Sequence, residues 1–268
     1  MCSIFNEVSG ISALGVIGRG SSMEIGTYLE KFITDTLLGN IIDLCPVGAL
    51  TSMPYAFSTR AWELKTFKSV DILDSLGSSI RIDVVNNNVS RIIPYMDEII
   101  NEEWISNKAR FAYDSLVIQR IQFPQFLVYG KYIIISWETA VNIFLRMFYK
   151  YRFLWIEIIC GTFLNLEAVV SLKIYFNSCG CSNITFYDLN FNLVDFRFLY
   201  LLNSTLVKLE DIYNVLFLGT NLRLESPLLN LRLRKSFLAN NFFKAYSIGL
   251  SLNSLTYPIE NLGIQLQH

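Results

Sequence analysis

Apolar positions recur at 29, 32, 33, 37 and 38. That spacing predicts a short helix over residues 27–38, closed by Gly39 as its C-terminal cap. Further along, Ile80-Arg81-Ile82-Asp83-Val84 alternates with period two. Asn86-Asn87-Asn88 follows, and then a second apolar stretch from Val89 to Ile93. The pattern predicts a β-hairpin turning on asparagine, which tolerates positive φ. From about residue 130 the pattern becomes βαβα. Strands are predicted at 132–135, 153–159, 184–187, 211–218 and 246–250. Helices are predicted at about 137–150 behind Ser136, at about 165–176 behind Asn165, and from Ser226-Pro227, with proline at the first helical position. Near-continuous apolar strands alternating with helices predict a parallel sheet covered on both faces, the doubly wound α/β class. In such folds ligands sit beyond the carboxyl ends of the strands, which makes Gly219 to Glu225 the loop to watch. Three regions follow: 1–55, rich in glycine and turns; a small hairpin-containing module, 56–114; and an α/β domain, 115–268.

Composition sharpens this reading. Hydrophobic residues make up 52% and charged residues 17% of the 268 positions, and the net charge is −1. So apolar and so balanced a chain is not a disordered one. Nor does it carry the clustered positive charge of a nucleic-acid binder. Mean hydropathy is +0.38, yet no stretch reads as a direct membrane span. The longest uncharged run, Leu44 to Thr59, is interrupted by Pro46 and Pro54, and a spanning helix needs about 18 or more apolar residues. The excess apolar surface is expected to be covered by partners. Phe, Tyr and Asn are abundant while Ala and Pro are scarce, a bias expected of an AT-rich coding genome such as an organelle's. The first residues show no import leader, which suits the same expectation.

The candidate chemistry is narrow. The only histidine is His268, the last residue. This excludes a Ser-His-Asp triad, a Cys-His pair and a His-based zinc site inside the fold. Neither G-x-G-x-x-G nor G-x-x-x-x-G-K-[ST] occurs, so those phosphate cradles are absent. Five cysteines stand at 2, 45, 160, 179 and 181, an odd number without a C-x-x-C pair, and not a secreted disulfide framework. Cys160, Cys179 and Cys181 read as buried free thiols. Cys45 differs. It lies in Asp43-Leu44-Cys45-Pro46-Val47-Gly48, and cysteine followed by proline is a recurring closing ligand of ferredoxin-type clusters. By these residues alone, a buried structural cysteine and a cluster ligand both remain open.

Several ordered stretches then converge: Asn6 to Gly10, Leu14 to Gly20, Ile25 to Lys31, Gly39 to Ser52, Pro54 to Phe57, Arg60 to Glu63, Arg91 to Pro94, Asn101 to Ser106, Lys108 to Asp114, Tyr200 to Asn203, Leu218 to Asn221, Glu225 to Leu228 and Arg232 to Lys235. Together they resemble the large iron–sulfur subunit of respiratory complex I, NADH:ubiquinone oxidoreductase. The resemblance implies a peripheral-arm subunit that relays electrons between iron–sulfur clusters. It implies that 115–268 is a truncated, degenerate molybdopterin-oxidoreductase-like domain without molybdopterin, because Leu222 stands where the family's nucleotide loop has proline. It further implies that Cys45 is the fourth ligand of a [4Fe–4S] cluster. Cys2 falls one residue short of the family's third-ligand position and is a second candidate. The other ligands are expected from another chain, a separate fragment carrying the ferredoxin-like domain, among the other peripheral-arm subunits. The expected location is the matrix side of the mitochondrial inner membrane. The alternative is a purely structural fragment of the arm with no cluster of its own.

Overall fold

The computed structural model describes residues 5–11, 14–27, 32–151, 156–161, 164–186, 196, 201–202, 204–249 and 256–263. Two compact units divide the chain. One comprises residues 1–118 and 202–268, the other residues 119–201. The predicted α/β region 115–268 is thus divided between them.

The first unit begins with a small antiparallel pair, β1 (Gly15–Ile17) and β2 (Glu24–Gly26). A turn over residues 36–39 leads into α1 (Asn40–Leu44), which ends at Cys45. Gly39 therefore opens a helix instead of closing one, and of the helix predicted at 27–38, residues 28–31 lie outside the described residues while 32–38 are not helical. The reason is competition for backbone groups. The Asn107 side chain donates to the carbonyl of Asp35 at 2.7 Å and the Asn107 amide to that of Thr36 at 2.8 Å. Carbonyls claimed from outside are lost to a local helix.

The predicted hairpin is present as β4 (Ser79–Val85) and β5 (Asn88–Pro94), extended to three antiparallel strands by β3 (Lys65–Val70). Asn86 and Asn87 form its tip, with φ of 49° and 65°, the combination a two-residue primed turn requires. Ile80 faces inward and packs with Ile105 and Ala109 of the segment around α2 (Asn107–Phe111).

The second unit opens with a hairpin, β6 (Gln125–Val128) and β7 (Lys131–Ile134). The strand predicted at 132–135 is therefore one arm of an antiparallel pair, not the first member of a parallel sheet. Tyr129 and Gly130, both at positive φ, make the turn. Next comes α3 (Trp137–Tyr151), where Ser136 accepts the Thr139 amide at 3.2 Å. Then β8 (Ile158–Cys160), α4 (Leu166–Ser178) and β9 (Ile184–Phe186) form a βαβ unit with parallel strands. Phe148, Phe176 and Cys181 are its core.

The chain returns to the first unit with β10 (Asn214–Leu218), α5 (Leu222–Glu225), α6 (Pro227–Ala239), β11 (Lys244–Ile248) and β12 (Glu260–Gly263). The three strands are parallel, in the order β10-β11-β12. Phe217, Leu222, Leu233, Phe243, Ala245 and Tyr257 fill the space under α6, each large side chain contributing about 1.5–3 kcal/mol by burial. Two arginines of α6 reach out of this core. Buried Arg232 binds the carbonyls of Glu98, Ile99 and Ile100 and pairs with Glu210 at 2.7 Å. Arg234 binds the carbonyls of Asn6, Glu7 and Thr256. These bonds knit residues 202–268 to the first hundred. Among the described residues no helix is long and apolar enough to cross a membrane.

Candidate metal centre

Cys45 stands at the C-terminal end of α1, where the helix gives way to extended backbone. Pro46 follows and cannot continue the helix. The chain turns at once, with the Gly48 amide donating to the Cys45 carbonyl at 3.3 Å. Gly48 sits at φ 67°, open to space on the side where a side chain would stand. The turn folds the following amides back over the sulfur. The backbone N–H groups of Leu50, then Ala49, Val47 and Gly48, hold the thiol below its ordinary pKa, against the opposing effect of burial. The side chain is 7% exposed. An amide-lined, low-pKa sulfur favours the thiolate, the form that ligates metal.

The frame around this turn is polar and tight. Asn40, 2% exposed, mimics a β-partner for Ile105: its Nδ2 donates to the Ile105 carbonyl at 2.9 Å and its Oδ1 accepts the Ile105 amide at 3.1 Å. Arg110, also buried, donates to Asn40 Oδ1 at 3.2 Å and pairs with Asp43. Gly39 gives its amide to Asn107 Oδ1 at 2.8 Å, and a Cβ there would lie 2.6 Å from the Arg110 side chain. Beside the turn, a cavity of about 450 Å³ is lined by Leu50, Tyr55, Arg91, Arg110 and Tyr113 among others. The Arg91 guanidinium lies 4.5 Å from the centre of the Tyr55 ring.

Cys2 lies outside the described residues. The stretch after it is held at Ser9, whose hydroxyl donates to Asp35 in the segment leading to α1. Among the described residues no three His, Cys, Asp or Glu side chains gather as a metal site; Cys45 is a single donor. One thiolate in an amide cradle fits one corner of a four-iron cluster. Cys160 and Cys181 are buried and Cys179 is half-buried, and all three are free thiols. Sequence reading missed Asn40, Asn107 and Arg110. Only Asn40, polar between Leu38 and Ile41, carried a signal; Asn107 and Arg110 lie in a polar run.

The loop Gly219 to Glu225 is closed on itself. Glu225 folds back to accept the Thr220 hydroxyl and the Asn221 amide, at 2.5 and 3.1 Å, and the Thr220 bond holds its carboxyl below the usual range. Leu222 points into the core.

With this geometry in place, comparison with known proteins is informative. Residues 120–268 match the molybdopterin oxidoreductase model, residues 2–51 the ferredoxin-like domain of NADH-quinone oxidoreductase subunit 3, and residues 64–114 the NDSU1/NuoG-like 4Fe–4S domain of NADH-ubiquinone oxidoreductase. The chain belongs to the molybdopterin oxidoreductase family, whose match is preceded by two shorter stretches similar to those iron–sulfur domain models. Along 96% of its length it is similar to one particular kind of member. It is 43% identical to the NADH-ubiquinone oxidoreductase 75 kDa subunit of Reclinomonas americana. It is 41% and 40% identical to the mitochondrial 78 kDa subunits of Candida albicans and Neurospora crassa. The chain spans 39%, 36% and 35% of those three proteins.

Proposed function

We propose that this chain is the part of the large iron–sulfur subunit of complex I that carries the closing ligand of a [4Fe–4S] cluster. It helps relay electrons from NADH toward ubiquinone as part of NADH:ubiquinone oxidoreductase, with no active site of its own. The observation that carries this reading is the buried Cys45 thiol at the end of α1, in the tight turn closed by Gly48, where the neighbouring backbone N–H groups lower its pKa. When bound, such a cluster supplies one-electron transfer. The chain's residues do the rest. Cys45 offers a thiolate, the amides of residues 47–50 spread its charge, and hydrogen bonds of this kind help set a cluster's potential. Asn40, Asp43, Arg110 and Asn107 tie α1 to α2 and to Ile105 before it, so that the sulfur keeps one position.

Cys2 is the second ligand offered by this chain, and the remaining ligands come from another polypeptide, a fragment carrying the rest of the ferredoxin-like domain. The chain is not functional alone, since metal binding and local folding are coupled. Its partners are the other peripheral-arm subunits, on the matrix side of the mitochondrial inner membrane. The α/β part binds no molybdopterin: the Asn221 amide, at the carboxyl end of β10, is occupied by Glu225, and Leu222 is built into the core. The test is Cys45→Ser in the assembled enzyme. Loss or strong alteration of one four-iron EPR signal is expected. An unchanged set of signals leaves the chain as a structural filler of the arm.

A further inference from the structure

Residues 64–114 match a domain described by its four-iron cluster, yet positions 56–159 contain no cysteine. A different set of side chains is buried in this segment. Val70 and Ser79 are the last paired residues of β3 and β4, and the Asp71 amide continues the ladder by donating to the Ser78 carbonyl at 2.8 Å. Residues opposed in this way project their side chains on one face, about 5 Å apart at Cβ. The loop between them carries Asp74. Asp71, Asp74 and Ser78 are 5%, 6% and 0% exposed. They are separated by two and three residues, intervals that cluster-binding loops also use.

Each carboxylate is only half satisfied. Asp71 Oδ1 accepts the Leu73 amide at 3.0 Å. Asp74 Oδ1 accepts the Ser226 hydroxyl at 2.9 Å and the Leu76 amide at 3.5 Å. Asp71 Oδ2, Asp74 Oδ2 and Ser78 Oγ are buried without a hydrogen-bond partner, as is Asn230 Oδ1 on the helical turn after Ser226. Burial holds both carboxyls above their ordinary pKa, and the charge of Asp71 adds to the effect on Asp74. Lys108 is the cation whose charge bears on Asp71, but among the described residues neither carboxylate has an ion-pair partner. A proton held by the two carboxyls is the competing occupant, and Asn variants of the pair separate it from an ion. A buried carboxylate without a partner is unfavourable, and a cation between the two removes the cost.

We propose that Asp71, Asp74 and Ser78 form a binding site for a hard divalent cation, magnesium or calcium. Carboxylate and hydroxyl oxygens select hard ions, and two carboxylates match a double charge. By pinning the 71–78 loop to Ser226, the ion would join the three-stranded sheet to the start of α6.

The test uses the full chain in the assembly that contains it, stripped with chelator and titrated separately with magnesium, calcium and potassium chloride. The readout is amide hydrogen exchange in peptides covering residues 71–78 and 226–230. Exchange there should accelerate at least tenfold on stripping and be restored by magnesium or calcium. The restoration should weaken toward acid pH, where protons compete for the carboxylates. Asp74→Asn and Asp71→Asn should each remove the ion response. Exchange indifferent to all three ions, or responsive to potassium alone, overturns the proposal. So do Asn variants that protect the loop as well as the ion does, because the site would then hold only protons or water.

Discussion

Cys45 and Cys181 are both buried thiols, and they sit in opposite surroundings. Cys181 lies with Phe148 and Phe176 and gives its S–H to the Ile156 carbonyl at 3.2 Å. Its sulfur is a donor within an apolar cluster. Cys45 is covered to a similar degree, but the backbone N–H groups of the turn after it lower its pKa. The surroundings of Cys45 favour the thiolate, whereas Cys181 serves as a hydrogen-bond donor to a carbonyl. The polarity of what covers a cysteine, more than the extent of cover, separates core filler from candidate ligand.

Three substitutions sharpen this contrast, in descending order of effect. Asn40→Ala removes both bonds to the Ile105 backbone and strands a buried N–H and C=O; it should cost about 3 kcal/mol in urea denaturation and loosen the Cys45 turn. Gly48→Ala forces a side chain into the left-handed region, at about 1–2 kcal/mol, and should raise the Cys45 pKa by disturbing the amide cradle. Cys181→Ala removes one sulfur from an apolar cluster, costs about 1 kcal/mol, and should leave every cluster signal unchanged.

A pH experiment reads the same contrast. In cluster-free chain the folded pKa of Cys45 lies below its unfolded value, so ionisation of Cys45 favours the folded state. That contribution is present in full above the ordinary thiol pKa and is lost as pH falls through the lowered one. Stability should therefore rise with pH across this window, and the rise should vanish in Cys45→Ser but persist in Cys181→Ala.

Much of the local structure was legible. Alternation and the asparagine tip disclosed β4 and β5, Pro227 marked the first turn of α6, and Pro46 marked the end of α1. Other features were hidden for identifiable reasons. β3 is exposed at all six positions, so burial imposed no alternating pattern on it. The β6–β7 turn uses Tyr129 at positive φ, an unusual choice for a bulky residue. The helix expected at 27–38 gave way, over its described part, to side-chain bonds from Asn107, which no local pattern announces. The packing of 202–268 with 1–118 rests on Arg232 and Arg234 binding backbone carbonyls, which any sequence at 6–7 and 98–100 supplies. Of the candidate site, the sequence singled out Cys45 but not the side chains of Asn40, Asn107 and Arg110 that frame it.

The most direct measurement is EPR of the reduced, assembled enzyme carrying Cys45→Ser beside one carrying Cys181→Ala. If the amide-cradled sulfur is a cluster ligand, one four-iron signal disappears or shifts strongly in the first and all signals persist in the second. Identical spectra in the two variants would contradict it.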